Sequence, residues 1–144
     1  MQPARHEGFS LVEIMIVVAL VATMAAMTVP SVQGAIARYD LLTSGQQVVS
    51  TIRAARIQAV SRNQILKVRF DFPAAGQYQV VDAVDAAVGL PQTLGGQITF
   101  GAFTDVQFTT AGRLAAPVVI TVTNGTAAQN RTINVSASGQ VRLQ

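Results

Sequence analysis

The spacing of apolar residues divides the chain into four segments. Residues 1–8 are polar, and residues 9–29 are apolar with a single charge. In residues 30–63 apolar positions recur every three or four residues, which is typical of a helix with one buried face. In residues 64–144 short segments alternate between apolar and polar positions, which predicts strands. The pattern therefore predicts an α+β protein in which a long N-terminal helix packs on a small antiparallel β-sheet head.

The apolar segment 9–29 is long enough to cross a bilayer, since 21 helical residues reach about 30 Å. An ordinary cleaved secretory signal, with Thr23-Met24-Ala25 as its cleavage site, is the alternative. Such signals have shorter apolar cores, and burying Glu13 in one would cost about 2.5–3.5 kcal/mol without return. The segment is therefore predicted to be a retained transmembrane anchor.

Pro30 follows the anchor segment directly. Proline removes one helical hydrogen bond and clashes with the preceding turn, so a kink or local opening is predicted at this residue. The alternative is a plain boundary, with Pro30 in the first turn of a second helix.

The next segment predicts an amphipathic half-helix that packs on the head. Six residues at alternating steps of four and three form one stripe: Leu41, Gly45, Val48, Ile52, Ala55 and Ala59. Three further apolar residues are predicted to widen it: Leu42, Val49 and Val60. Three arginines fall mostly outside the stripe and are assigned to the solvent side: Arg53, Arg56 and Arg62. Asn63 tolerates a left-handed conformation and is predicted to end the helix.

The head is predicted to begin with a β-hairpin. Residues 65–70 and 77–82 form its strands, with Leu66, Val68 and Phe70 facing the core. Further strands are predicted at residues 97–100, 106–109, 117–123, 132–135 and 140–143, separated by turn residues at 110–113, 124–125 and 138–139. Residues 83–96 predict no element, because they are rich in Ala and Gly and contain Pro91.

Composition argues against an enzyme. Cysteine is absent, and the single histidine, His6, lies in the first segment, so imidazole bases, thiol nucleophiles and Cys/His zinc sites are not expected in the head. Asp82 and Asp85 supply too few ligands for calcium, which takes six to eight oxygens. No cofactor or metal is therefore predicted. The net charge of +3 supports neither a nucleic-acid partner nor its absence.

Residues 8–13, Gly-Phe-Ser-Leu-Val-Glu, follow a short charged leader. With Pro30 further along, they resemble the processing site of type IV pilins and type II secretion pseudopilins. The resemblance implies that a prepilin peptidase removes residues 1–8 by cutting between Gly8 and Phe9, and methylates the new amine of Phe9. It implies that Glu13 acts in filament assembly and that Pro30 kinks the anchor helix. It also implies a bacterial inner-membrane protein with a cytoplasmic N-terminus and a periplasmic head.

Glu13 is the charge whose position requires a partner, because an unpaired carboxylate is costly within lipid. The protonated amine of Phe9, from the same or a neighbouring subunit, is the partner we expect. The alternative is a carboxyl group neutralised by protonation.

Motifs in the second half of the helix and in the head make the resemblance more specific. Residues 54–59, Ala-Ala-Arg-Ile-Gln-Ala, lead through Arg62 and Asn63 to the first strand, as in the GspH/FimT group of minor pilins and pseudopilins. Residues 108–113, 133–135 and 138–141 resemble the closing strand pair of that group. The resemblance implies a minor pilin or pseudopilin of a type II secretion system or a type IV pilus, and the sequence does not distinguish the two systems. Such a subunit joins other pilins or pseudopilins in a periplasmic filament or its tip and supports protein secretion.

Two alternatives remain. Some FimT-like proteins are associated with DNA uptake and carry a Gly-Arg-x-Arg turn, but here Gly112 and Arg113 are followed by Leu-Ala, so the second arginine is missing. Arg131 and Arg142 lie on nearby predicted strands and would compensate as DNA contacts. The other alternative is a single-span protein with an unrelated periplasmic sheet domain.

Overall fold

A computed structural model describes residues 9–125 and 129–144, with the backbone but not the side chains of residues 27–31. The elements within these residues are α1 (Leu11–Arg62), β1 (Leu66–Phe70), β2 (Gln77–Asp82), β3 (Gln92–Thr93), β4 (Ile98–Phe100), β5 (Val106–Phe108), β6 (Val118–Asn124), β7 (Gln129–Val135) and β8 (Val141–Leu143). The chain divides into two compact units, Met1–Ile36 and Ala37–Gln144.

In the first unit the described structure is the N-terminal part of α1. This helix is a single element through residue 30, so the second helix considered as starting at Pro30 does not form. The kink predicted at Pro30 stays a prediction. Across the part of the chain that is described, no helix combines the length and the apolarity needed to span a membrane. The anchor predicted for residues 9–29 therefore stays a prediction.

The second unit holds the rest of α1 and two antiparallel sheets of four strands each. The first sheet has the strand order β3-β2-β1-β5, and the second sheet has the order β4-β6-β7-β8. In the first sheet β1 pairs with β2 over its whole length, from Leu66 opposite Asp82 to Phe70 opposite Tyr78. In the second sheet β6 and β7 form a seven-residue ladder. The predicted hairpin and antiparallel head are thus present.

The core lies between the amphipathic part of α1 and the two sheets. Side chains alternate on β1, where Leu66, Val68 and Phe70 are buried as predicted. All six residues of the predicted helical stripe are buried, and so is Val49. Leu42 and Val60 were expected to widen the stripe, but they are 38% and 51% exposed. They flank the stripe at angles that the sheets do not cover.

Aromatic rings join the two sheets. Phe70 and Tyr78 come from the first sheet and Phe100 from the second, and the ring centroids of Phe100 lie 5.0 Å from Phe70 and 5.9 Å from Tyr78. Both contacts are edge-to-face, the favourable arrangement for rings with negative faces and positive edges. Together the three rings close the core where β1, β2 and β4 meet.

The C-terminus of α1 confirms the predicted stop. Asn63 has a φ of 52°, in the left-handed region. The Gln64 N–H donates to the Ala59 carbonyl at 3.1 Å, and the Asn63 N–H donates to the Val60 carbonyl at 3.3 Å. These two bonds form a Schellman motif, which satisfies the last helical carbonyls and turns the chain into β1.

The segment without predicted structure contains the shortest strand. Residues 83–96 include β3, two exposed residues that pair with the start of β2, and an isolated bridge between Val81 and Ala87. Asp82 organises the loop, since its Oδ1 accepts hydrogen bonds from the N–H groups of Val84 and Ala86 at 2.9 and 2.8 Å. Side-chain hydrogen bonding to the backbone therefore replaces the strand pattern that the sequence lacks.

Candidate functional site

The start of α1 carries the residues predicted to act in processing and assembly. Gly8 lies outside the described residues. The Ser10 carbonyl accepts hydrogen bonds from the N–H groups of Glu13 and Ile14 at 3.0 and 3.2 Å, so the helix begins at Leu11. Glu13 is thereby in the first helical turn, where a carboxylate interacts favourably with the partial positive charge of the helix N-terminus.

The large apolar side chains at residues 9–24 are exposed within this unit. The large apolar residues between positions 9 and 24 are 52–81% exposed, with Phe9 the most exposed. Exposed apolar surface of this extent commonly marks an interaction site. The first unit thus offers Phe9 and Glu13 at the end of an uncovered apolar helix.

In the second unit, two turns of the head have the same structure, and we call them the glycine turns. One spans residues 109–113 (Thr-Thr-Ala-Gly-Arg) and the other spans residues 136–140 (Ser-Ala-Ser-Gly-Gln). In each, the first N–H donates to the fifth carbonyl, the glycine N–H donates to the first carbonyl, and the fifth N–H donates to the first hydroxyl oxygen. The Leu114 N–H also donates to the Ala137 carbonyl at 3.0 Å, which holds the turns together.

Arg56 of α1 binds both glycine turns. Its Nε donates to the Gly112 carbonyl at 2.9 Å, and its Nη2 donates to the Ser138 carbonyl at 3.0 Å. Both turns leave carbonyl groups pointing at the helix, and a guanidinium with several fixed donors can satisfy two of them at once. Arg56 was assigned to the solvent side from its spacing, and this assignment is wrong, because its side chain is only partly exposed and joins the helix to both turns.

The close approach of the turns requires glycine in each. Gly112 and Gly139 have φ values of 68° and 80°, which non-glycine residues rarely adopt. A Cβ at Gly139 would lie 2.5 Å from the Gly112 carbonyl oxygen and 2.5 Å from Arg56 Nε. A Cβ at Gly112 would lie 2.8 Å from Val60. The two glycines therefore let the turns and the helix meet at Arg56.

A shallow groove beside this junction is lined by basic and apolar side chains. Its volume is about 560 Å³, and its lining includes Arg53, Arg56, Ile57, Val141 and Arg142. Arg53 Nη2 donates to the Val141 carbonyl at 3.1 Å, which fixes that side chain at the rim. We call this the basic groove. Arg53 was also assigned to the solvent, and although it is exposed, its contact with β8 was not expected.

The three arginines predicted as DNA contacts are not gathered at one place. Arg142 is paired with Asn134 across the strands and faces outward beside the basic groove. Arg131 is two and four residues from the buried Ile133 and Val135, so it lies on their face of β7, opposite to Arg142. It lines a groove with Arg38. Arg113 is exposed at the end of the first glycine turn.

Charge is distributed unevenly over the head. The carboxylates after α1 are Asp71, Asp82, Asp85 and Asp105, all in or next to the first sheet. Asp85 binds Lys67 at 3.0 Å and lies 3.6 Å from Arg69, which also lies 3.6 Å from Asp105. Residues 109–144, which include β6, β7 and β8 of the second sheet, contain Arg113, Arg131 and Arg142 without any acidic residue. Within the described residues no group of acidic or histidine side chains is placed to hold a metal ion.

Comparison with known proteins identifies the family of this chain. Residues 44–139, more than half of the chain, match the family described as the type II transport protein GspH, and residues 3–29 match a prokaryotic N-terminal methylation motif. The chain belongs to the GspH family. No curated protein matches it.

Solved structures of a minor pilin and a minor pseudopilin resemble this GspH-family chain in fold. The type IV minor pilin FimU of Pseudomonas aeruginosa strain PAO1 shares 18% identity with a TM-score of 0.62, over 74% of this chain and 90% of that one. The minor pseudopilin EpsH from the type 2 secretion system of Vibrio cholerae shares 13% identity with a TM-score of 0.59, over 73% and 96%. The predicted type IV pilin-like fold and the GspH/FimT resemblance are confirmed.

Sequence reasoning missed the role of Arg56, which joins α1 to both glycine turns of this GspH-family chain. Helical spacing sets Arg56 off the buried stripe, and that assignment ignored the turn carbonyls that needed donors. A signal was present in the sequence, because the segments 109–113 and 136–140 both read Ser/Thr-x-x-Gly-polar between apolar residues. Two equal turns with left-handed glycines predict exposed carbonyls, for which an arginine on the packed helix is a suitable donor.

Proposed function

We propose that this protein is a minor pseudopilin of a type II secretion system that joins a periplasmic pseudopilus or its tip. The observation that carries the proposal is that one chain combines an N-terminal methylation motif at residues 3–29 with a GspH match over residues 44–139. In this function residues 9–29 anchor the subunit in the inner membrane before assembly. The role of the chain is mechanical, through subunit contacts, rather than catalytic.

Processing is tested at Gly8. Co-expression with a prepilin peptidase is expected to give a chain that starts at Phe9 and carries one added methyl group, as read by mass spectrometry. Gly8→Val should leave the precursor intact, because a side chain at this position obstructs the extended backbone at the cleavage site. Gly34→Ala, where an added Cβ meets nothing within 4 Å, is the matched control and should be processed normally. A processed Gly8→Val chain would contradict the proposal.

Assembly is tested at Glu13. Glu13→Leu should insert in the membrane at the normal level and be absent from sheared filaments, because the Phe9 amine of a neighbouring subunit loses its anionic partner. Met15→Leu, an apolar change on the same exposed helix, is the control. Immunoblots of membrane and filament fractions measure both. Normal incorporation of the Glu13→Leu chain would show that the carboxylate has no assembly function.

Deletion of the gene tests whether the protein serves a type II secretion system or a type IV pilus. Loss of secreted enzymes from the medium with normal surface pili supports the type II assignment, and the opposite result supports a type IV pilus subunit instead. Complementation with Glu13→Leu should fail in either case, which separates the assembly role from the choice of system.

DNA binding is a second candidate, favoured by the carboxylate-free second sheet and the basic groove. Arg113→Gln or Arg142→Gln should weaken binding of double-stranded DNA by the full chain and lower the slope of log K against log salt by about one each. Arg69→Gln, which removes a cation from the acidic first sheet, is the control and should leave binding unchanged. A mobility-shift titration without salt-sensitive binding would exclude this candidate.

A further inference from the structure

A second groove lies between α1 and the edge of the first sheet, apart from the basic groove. Its volume is about 550 Å³, within the range of ligand sites. On the helix side it is bounded by Ser50, Ala54 and Gln58, and on the sheet side by Leu90 and Gln92. The residues that line it include no Asp, Glu, Lys, Arg or His. We call it the neutral groove.

A buried hydroxyl group without a partner lies at the base of the neutral groove. The Tyr78 side chain is fully buried and contributes to the lining, and its hydroxyl makes no hydrogen bond of acceptable geometry to any described residue. Thr51 is near enough to oppose the rise in the Tyr78 pKa that burial causes. The Thr51 hydroxyl donates its single proton to the Gln92 side-chain oxygen, 2.9 Å away, and therefore does not donate to Tyr78. Since buried hydroxyls are nearly always hydrogen-bonded, this one is an unused donor beside an open groove.

The sheet side of the groove is an incomplete edge. β3 has only two residues, both exposed, and the Leu90 side chain is 88% exposed. The Val88 N–H donates to the Val80 carbonyl at 2.9 Å, and regular pairing resumes only at Gln92, opposite Tyr78. A short strand edge beside amide and hydroxyl side chains is suited to extended peptide backbone, which supplies both donors and acceptors.

We propose that the neutral groove binds an uncharged, extended peptide segment of a partner protein, with one peptide carbonyl accepting a hydrogen bond from the Tyr78 hydroxyl. The side-chain amides of Gln58 and Gln92 contact the neighbouring peptide groups, and Leu90 covers an apolar side chain of the segment. Acidic and basic segments are rejected, because the lining offers no opposite charge to replace their hydration. This proposal does not depend on the secretion system to which the chain belongs.

The test uses the full chain in detergent micelles and N-acetylglycine N-methylamide as a neutral peptide probe, with acetate as the charged control. Titration should shift the NMR signals of the Gln58 and Gln92 side-chain amides with the neutral probe only. Tyr78→Phe should weaken this binding about tenfold, the effect of losing one hydrogen bond. Absence of shifts, equal shifts with acetate, or unchanged affinity in Tyr78→Phe would each overturn the proposal.

Stability provides an independent measurement. Tyr78→Phe should keep or raise the thermal midpoint of the free chain, because it removes a buried donor without a partner. A lower midpoint would show that the hydroxyl is already satisfied in the free chain, and would overturn the proposal. Ala54→Leu should fill the groove and abolish the shifts, whereas Ile57→Ala, at the basic groove, should leave them unchanged. Binding that survives Ala54→Leu would place the probe elsewhere and likewise overturn it.

Discussion

The two sheets of the head contact the same helix by different means. The second sheet is tied to α1 by directed hydrogen bonds, in which Arg53 donates to β8 and Arg56 donates to the glycine turn between β7 and β8. Arg56 also donates to the other glycine turn, which leads from β5 of the first sheet toward β6 of the second. The first sheet packs on α1 through apolar side chains and adds one bond between the hydroxyl of Thr51 and Gln92. The carboxylates and ion pairs of the head are concentrated on the first sheet, and the second has only cations.

This difference is reflected in how closely the chain approaches α1 at two places, although a groove lies beside each of them. Hydrogen bonds to fixed carbonyls set both distance and direction, so the glycine turns sit tightly against the helix and leave no room for a Cβ at Gly139. Apolar packing sets distance only, and at the short β3 edge it leaves the neutral groove unfilled. The two grooves are nearly equal in volume and differ in lining, which is basic and apolar at the glycine turns and uncharged at the β3 edge.

The largest loss of stability expected from this comparison follows from a substitution in the glycine turns. Gly139→Ala should lower the free energy of unfolding by about 2–6 kcal/mol, since backbone strain and steric overlap each cost about 1–3. Gly76→Ala, in the turn between β1 and β2, should cost only the strain term, because it has a φ of 73° and an added Cβ meets nothing within 4 Å. Chemical denaturation measures both. Equal losses would show that the second sheet is no more tightly fixed than the first.

A smaller loss of stability is expected when the arginines of α1 that bind the turns and β8 are replaced. Arg56→Ala should cost about 1.5–3 kcal/mol, because two turn carbonyls lose a charged donor, and Arg53→Ala, which removes one such bond, should cost less. Thr51→Val is the counterpart on the first sheet and should cost at most about 1 kcal/mol, because its bond is neutral and exposed. If Thr51→Val cost as much as Arg56→Ala, directed bonds would not distinguish the two sheets.

The smallest expected effect is on the pH dependence of stability, and it arises from an ion pair of the first sheet. The hydrogen bond from Lys67 lowers the pKa of Asp85 below its ordinary value of 3.8, so this ion pair stabilises the fold above that value. The stabilisation is lost as pH falls through the lowered pKa. Lys67→Gln should therefore flatten the dependence of the thermal midpoint on pH below about 4. An unchanged acid slope would show that the exposed pair does not contribute.

Most elements of the fold were predictable because local rules and tertiary structure agree. The stripe from Leu41 to Ala59, the alternation on β1 and the left-handed stop at Asn63 each depend on residues that are near in sequence. The strand β3 was missed because Gln92 and Thr93 have no pattern of their own and pair only where β2 presents an edge. At the sites, Glu13 was placed in the first turn of α1, but the arginines of the head could not be grouped from sequence.

The sequence by itself determined the order of segments, the amphipathic helix, the strand-rich head and the family, because periodicity and short motifs are properties of neighbouring residues. Only the tertiary structure decided that the strands divide into two sheets and that Arg56 serves two turns. It also decided that Arg131 and Arg142 lie on opposite faces, and that the Tyr78 hydroxyl has no partner. Each of these depends on contacts between residues far apart in the chain, which spacing along the sequence does not encode.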